Sequence, residues 1–190
     1  MPFAATMFAK HTLGQNTPVN QLLANGNVTV LDFSGFEATP FLQAELGLTL
    51  TKLMAPGLGL QGQLATGEAF TLYYFSDTAY RFIAATSAMQ ALLKLFNTFS
   101  VDYDIAYLVR DDLSVATLTG SSAFDSLVET FDLTPGLQLT DRQLCYGAQS
   151  GDVFVTALLA GEEKQFQLIS QHEHLPKWQA HWQDKGFSLN

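Results

Sequence analysis

The stretch VTVLDFSGFEATPFLQAELGL, residues 28–48, decides the fold, because its pattern returns at 113–133 as LSVATLTGSSAFDSLVETFDL. The two align without a gap, Val28 on Leu113, Gly35 on Gly120, Leu42 on Leu127 and Leu48 on Leu133. Each opens with a run rich in Val, Leu, Thr and Phe, breaks at one glycine, and continues with apolar residues at helical spacing. That is the pattern of strand, turn and helix. Past a short connection the match resumes, TGEAFTLYYF (66–75) over SGDVFVTALL (150–159) and YRFIA (80–84) over KQFQL (164–168). Each copy closes on an amphipathic helix, marked by Met89, Leu92, Leu93 and Phe96 in the first and by Leu175, Trp178 and Trp182 in the second.

Self-similarity of this kind predicts a duplicated unit, with the order β-α-β-β-α in each half. Hairpin-like connections at FSDTAYRF and LLAGEEKQF argue for mainly antiparallel sheets, so the fold class expected is α+β. The halves span 28–100 and 113–185 within a single domain, 28–190. Residues 1–27, with Gly14, Pro18 and Gly26, read as an extended or short-helical lead-in.

The chain has 190 residues, 47% of them hydrophobic and only 14% charged, against roughly 25% charged in ordinary soluble domains. An apolar or neutral surface of that extent predicts a homo-oligomer or a larger partner. A net charge of −9, with no cluster of Lys or Arg, makes nucleic acid and anionic membrane poor partners. Cys145 is the single cysteine, so no internal disulfide is available; with no signal peptide or membrane span in the pattern, a cytoplasmic location is expected.

Several motifs suggest chemistry and have plainer explanations. TGSSAF (119–124) lacks the second glycine of a nucleophile elbow. Ser122 with Asp125 reads as a helix-capping pair, and Thr39 before Pro40 as a cap with a first-turn proline. His172, Glu173, His174 and His181 form the densest metal-ligating set, but two helical turns separate His174 from His181, about 10 Å along the axis. No metal site is predicted. Asp111–Asp112 and Glu162–Glu163 are carboxylate neighbours of the kind usually hydrated in turns. Cys145 reads as a small buried hydrophobe.

Taken with KHTLG (10–14) and GEAFTLYYF (67–75), the segments VRDDLSVATLTG (109–120) and GAQSGDVFVTALLAGEEKQFQL (147–168) resemble the folate-binding domain of the aminomethyltransferase family, the T-protein of the glycine cleavage system. The resemblance touches most of the chain. It implies a duplicated α+β core, tetrahydrofolate as cofactor, and transfer of a one-carbon unit from an aminomethyl donor. The family's catalytic aspartate falls where this chain has Glu68 followed by Ala69, a carboxylate carried one methylene further out. The family's folate-gripping glutamate falls at Glu163, preceded by Ala160, Gly161 and Glu162 in place of its usual neighbours. CYGAQ (145–149) lacks the flanking lysine, glycine and glutamate of the related iron-sulfur repair proteins, so that function is not carried over.

Two functions follow from the resemblance. One is a reduced folate-binding protein in one-carbon metabolism, with Glu68 as the acid/base group and Glu163, beside Glu162, as the cofactor anchor. The other is a non-catalytic subunit or assembly module, similar to the short gamma subunit of sarcosine oxidase. Independent transferase activity is not expected.

Overall fold

The computed structural model describes residues 19–131, 144–160 and 163–190. The strands are β1 (Gln21–Ala24), β2 (Val28–Ser34), β3 (Leu58–Gln63), β4 (Ala69–Ser76), β5 (Ala79–Ala85), β6 (Ala106–Val109), β7 (Leu113–Thr119), β8 (Leu144–Ser150), β9 (Val153–Ala160), β10 (Glu163–Gln171) and β11 (Ser188–Leu189). Between them lie the helices α1 (Ala38–Glu45), α2 (Thr86–Phe99), α3 (Ala123–Phe131) and α4 (Leu175–Asp184). All eleven strands share one sheet, in the order β11-β1-β7-β10-β9-β8-β3-β4-β5-β2-β6. Every pairing is antiparallel except β1 with β11. The α+β class and the antiparallel sheet agree with the sequence reading.

Two expectations need correction. Three strands, not two, lie between α1 and α2 and again between α3 and α4, because β3 and β8 were read as connections. The reason is their glycines. Gly59 and Gly62 stand opposite Tyr73 and Phe70, whose rings occupy the space a Cβ would need, 2.7 and 2.3 Å away. Gly147 of β8 lies under the Phe154 ring in the same way, at 2.3 Å. Glycine normally weakens a strand; here the neighbouring aromatic covers the exposed backbone. The second correction concerns Thr39, which lies inside α1 and donates its hydroxyl to the Asp77 carbonyl at 2.8 Å, leaving the helix start at Glu37 without a side-chain cap. Strand β1 lies within 1–27, the stretch read as extended or short-helical.

Alternation along β2 assigns the faces of the sheet. Leu31 and Phe33 point to α1 and α2, into a cluster with Phe41, Phe82, Leu92 and Phe96. Phe96 meets the rings of Phe33, Phe82 and Phe41 at centroid distances of 5.0, 5.4 and 5.7 Å. A second cluster, around Leu118, Leu127, Phe166 and Trp182, fills the space between β7, β10, α3 and α4.

On the opposite face, Val30, Tyr73 and Ile83 pack with Val115, Cys145, Phe154 and Ile169. Six strands separate β2 from β7 in the sheet order, yet Val30 and Val115 share this cluster. The sheet therefore curls until β2 and β7, each near one end of it, close on one apolar seam. The crossover from β6 to β7 ties the closure, with the Arg110 N–H donating to the Val30 carbonyl at 2.9 Å.

Candidate functional site

The strongest concentration of charge lies where the curl closes. Asp32 of β2 is opposite Arg81 of β5, and the pair is bidentate, Nε to Oδ1 at 2.7 Å and Nη2 to Oδ2 at 3.1 Å. Arg110, just past β6, reaches the same carboxylate through Nη1 at 2.7 Å and grips Asp112 through Nε and Nη2 at 2.8 and 2.7 Å. The Arg81 guanidinium also lies near the rings of Phe75 and Phe154, 5.6 and 5.4 Å from their centroids.

Burial works to raise the Asp32 pKa, but hydrogen bonds and charge from Arg81, then from Arg110, outweigh it and hold the carboxyl below its ordinary value. The hydrogen bonds of Arg110 hold Asp112 at about 2 and raise the guanidinium's own pKa in return. Two cations thus meet two anions, and the quartet has no net charge. Its effect is to join β2, β5 and the link between β6 and β7 at the seam.

Deeper in the seam, Tyr73 is fully buried, and burial pushes its phenol well above the usual range. Its hydroxyl has no hydrogen bond of ordinary geometry, although Thr156 lies beside it. Burial likewise pushes the Cys145 thiol up to about 11, so it carries almost no thiolate at neutral pH. Thr156, fully buried, donates to Gln167 Oε1 at 3.4 Å.

The residues singled out from the sequence lie elsewhere. Glu68 closes the β3–β4 hairpin, its carbonyl accepting from the Leu64 N–H at 2.9 Å. A hydrogen bond from Thr66 lowers its carboxyl pKa, while Oε2 is covered and without a partner. Tyr73, the residue opposite Arg81, is five positions along β4, which places Glu68 about 17 Å from the ion quartet along the strand. Glu163 opens β10 opposite Ala160. Its side chain, and the whole of Glu162, lie outside the described residues, as does KHTLG. Strand β10 is four strand spacings from β4, about 19 Å along the sheet.

The histidines take separate partners. His172 meets Ser114, the His174 ring lies 2.5 Å from the Asp152 carboxylate, and His181 meets Thr130 at 3.0 Å. Among the described residues no three His, Cys, Asp or Glu side chains converge as a metal site would require. No helix among them is long and apolar enough to cross a membrane.

Sequence reasoning did not find Asp32 or Arg81. A signal was there: one acid in VTVLDF and one base in YRFIA, each in an otherwise apolar strand, were the charges most in need of a partner.

Comparison with known proteins bears on the fold. No family model matches the chain. The glycine cleavage system aminomethyltransferase T from Bartonella henselae superposes with a TM-score of 0.68 over 85% of this chain, at 15% identity. The chain spans 45% of that enzyme's length, a little under half. A chain of the heterotetrameric sarcosine oxidase from Corynebacterium sp. U-96, solved in complex with pyrrole 2-carboxylate, superposes with a TM-score of 0.60 at 14% identity. There 84% of this chain covers 82% of the other, so the two are nearly equal in length. The fold of this chain is thus one that an aminomethyltransferase and a chain of a sarcosine oxidase share.

Proposed function

We propose that this chain is a folate-binding-type domain that works, without oxidoreductase or transferase chemistry of its own, as a subunit of a larger oxidoreductase or transferase assembly. The observation that carries this reading is the filled seam. Tyr73, Phe154, Val30, Val115 and Ile169 pack the interior of the curl, and the four charges at its edge neutralise one another. A near match in length to one chain of a heterotetramer supports the same reading. So do exposed Phe36, Met54, Val101 and Leu108 on a chain with few charges. The duplication proposed from the sequence fits a sheet order that runs β3-β4-β5-β2-β6 one way from its centre and β8-β9-β10-β7-β1 the other.

A second reading, tetrahydrofolate binding in one-carbon chemistry, is favoured by Glu68. A carboxylate oxygen covered and unpartnered at a hairpin end is a group that a donor-rich ring could satisfy. Glu163 and Glu162 would complete the anchor.

Two measurements separate the readings. Co-expression with the products of adjacent genes, followed by native mass spectrometry, is expected to give a stoichiometric complex with an oxidoreductase or transferase chain. Calorimetric titration of the full chain with tetrahydrofolate and 5-formyltetrahydrofolate is expected to give no heat at millimolar ligand. A chain that stays apart from those products and binds folate, with the binding lost in Glu163→Ala, would overturn the assembly reading.

A further inference from the structure

Independently of that reading, we propose that Ser114 is a nucleophile activated by His172, able to take an acyl group from a small carboxylic ester. Ser114 lies on β7 opposite Ser170, and His172 follows the last residue of β10. The Ser114 hydroxyl is 2.5 Å from His172 Nδ1, and His172 Nε2 meets the carbonyl of Asp111. A carbonyl can only accept, so the Nε2 proton is fixed on that side. In the neutral ring Nδ1 is then the lone-pair nitrogen, and the hydroxyl donates to it. The backbone holds the ring in place as well, since the His172 N–H donates to the Asp112 carbonyl at 3.0 Å.

A serine bonded to an imidazole whose far nitrogen is oriented by a third group is the arrangement that makes a weak nucleophile reactive. It also faces open space. A cavity of about 160 Å³ is lined by Ser114 and His172 together with Asn25, Val28, Val115 and Leu175. A second cleft, of about 320 Å³, is bordered by His172 with Asp112, Gln171 and Glu173. The first, walled in part by Val28, Val115 and Leu175, suits a short acyl chain.

In the first step the Ser114 oxygen bonds to the acyl carbon while its proton passes to His172 Nδ1. The bond from that carbon to the leaving oxygen then breaks, and His172 returns the proton to the departing alcohol. Water, deprotonated by the same nitrogen, hydrolyses the acyl-serine and restores the enzyme.

The test is labelling of the full chain with diisopropyl fluorophosphate, in which the serine oxygen displaces fluoride from phosphorus. The expected result is one adduct by intact mass, mapped by peptide sequencing to Ser114, absent in Ser114→Ala and formed at least about 100-fold more slowly in His172→Gln. Circular dichroism of each variant shows whether the fold is kept, and mapping on the wild type stands even if a variant unfolds. A folded wild type that stays unlabelled at Ser114, or labelling equally fast in His172→Gln, overturns the proposal, because a contact that only fastens β7 to β10 needs no reactive oxygen.

Discussion

The two helix-covered clusters have the same order of elements around them and different contents. Phe33, Phe41, Phe70, Phe82 and Phe96 fill the first; Leu118, Leu127, Phe166, Phe187 and Trp182 are prominent in the second. Strand β2 begins one and β7 the other, and each strand ends at a glycine with positive φ, Gly35 at +141° and Gly120 at +118°. Which positions are apolar, and where the chain must turn, are shared between the clusters. The side chains that fill them are not. Volume and pattern are thus what the architecture demands of its core, and many residue sets meet that demand.

The largest effects come from emptying either core. Phe96→Ala removes a ring with no solvent exposure that contacts four other aromatics, and is expected to cost about 4 kcal/mol. Trp182→Ala, equally buried, belongs in the same range. Urea unfolding followed by far-UV circular dichroism and tryptophan fluorescence sharpens the comparison. Both tryptophans, Trp178 and Trp182, lie on α4, so fluorescence reports the second cluster alone. The apolar seam contains residues from both sides, so the two signals are expected to move together in each variant. Separate midpoints in Phe96→Ala would show that the seam does not couple the halves.

Next in size are the two turn glycines. A Cβ at Gly35 would lie 2.1 Å from the Asp104 carbonyl oxygen and 2.7 Å from the Ile105 Cα. At Gly120 it would lie 2.3 Å from Asn20 Oδ1 and 2.5 Å from the Asn20 Cα. Both sites combine a left-handed φ with a backbone obstacle, and each alanine substitution is expected to cost roughly 2–3 kcal/mol in urea unfolding. Asn20→Gly removes only the Oδ1 obstacle, so it should not rescue Gly120→Ala. Full rescue would show that the side chain was the whole conflict.

These glycines were legible in the sequence because the strand before and the helix after each gave them context. Gly59, Gly62 and Gly147 were not, because their reason is an aromatic on the next strand rather than a local turn. Strands β6 and β11 were missed for lack of length, at four and two residues, since a periodicity of two needs more positions to declare itself. The ion quartet was hidden for a related reason. Asp32, Arg81 and Arg110 are far apart in the chain, and only the register of β2 with β5 and the closure of the curl bring them together.

That quartet also sets β2 and β5 apart from β7 and β10. Where Asp32 of β2 faces Arg81 of β5, Thr117 of β7 faces Gln167 of β10, and both of these are neutral. Asn25 donates to the Thr117 hydroxyl there. Asp32→Asn is expected to cost about 1–2 kcal/mol at pH 7, because it leaves two partly buried guanidiniums short of a charge. The folded pKa of Asp32 lies below its unfolded value, so its contribution is present above the ordinary carboxylate pKa and is lost as pH falls through the lowered one. Melting temperatures measured from pH 6 down to pH 2 should therefore fall less steeply in Asp32→Asn than in the wild type. Thr117→Val should lower the whole curve by roughly 2–4 °C, the equivalent of about 1 kcal/mol, without changing its slope. Parallel curves for Asp32→Asn and wild type would mean that the acid sensitivity arises elsewhere.

The smallest effect is expected at the two ends of the sheet. At one end β11 covers β1, with Gln21 paired to Ser188 and Leu22 to Leu189. At the other, β6 pairs, among the described residues, only with β2. Leu108 of β6 is 63% exposed, whereas Leu22 of β1 is 2% exposed. Leu108→Lys therefore removes little buried area and is expected to change unfolding free energy by no more than about 0.5 kcal/mol. A lysine on an edge strand also opposes pairing with another strand, because its charge would have to be desolvated. Sedimentation velocity over a concentration series should show Leu108→Lys associating no more than the wild type and melting at the same temperature. A loss of several degrees would mean that the exposed edge is as integral to the fold as the covered one, and would remove the distinction between the two ends.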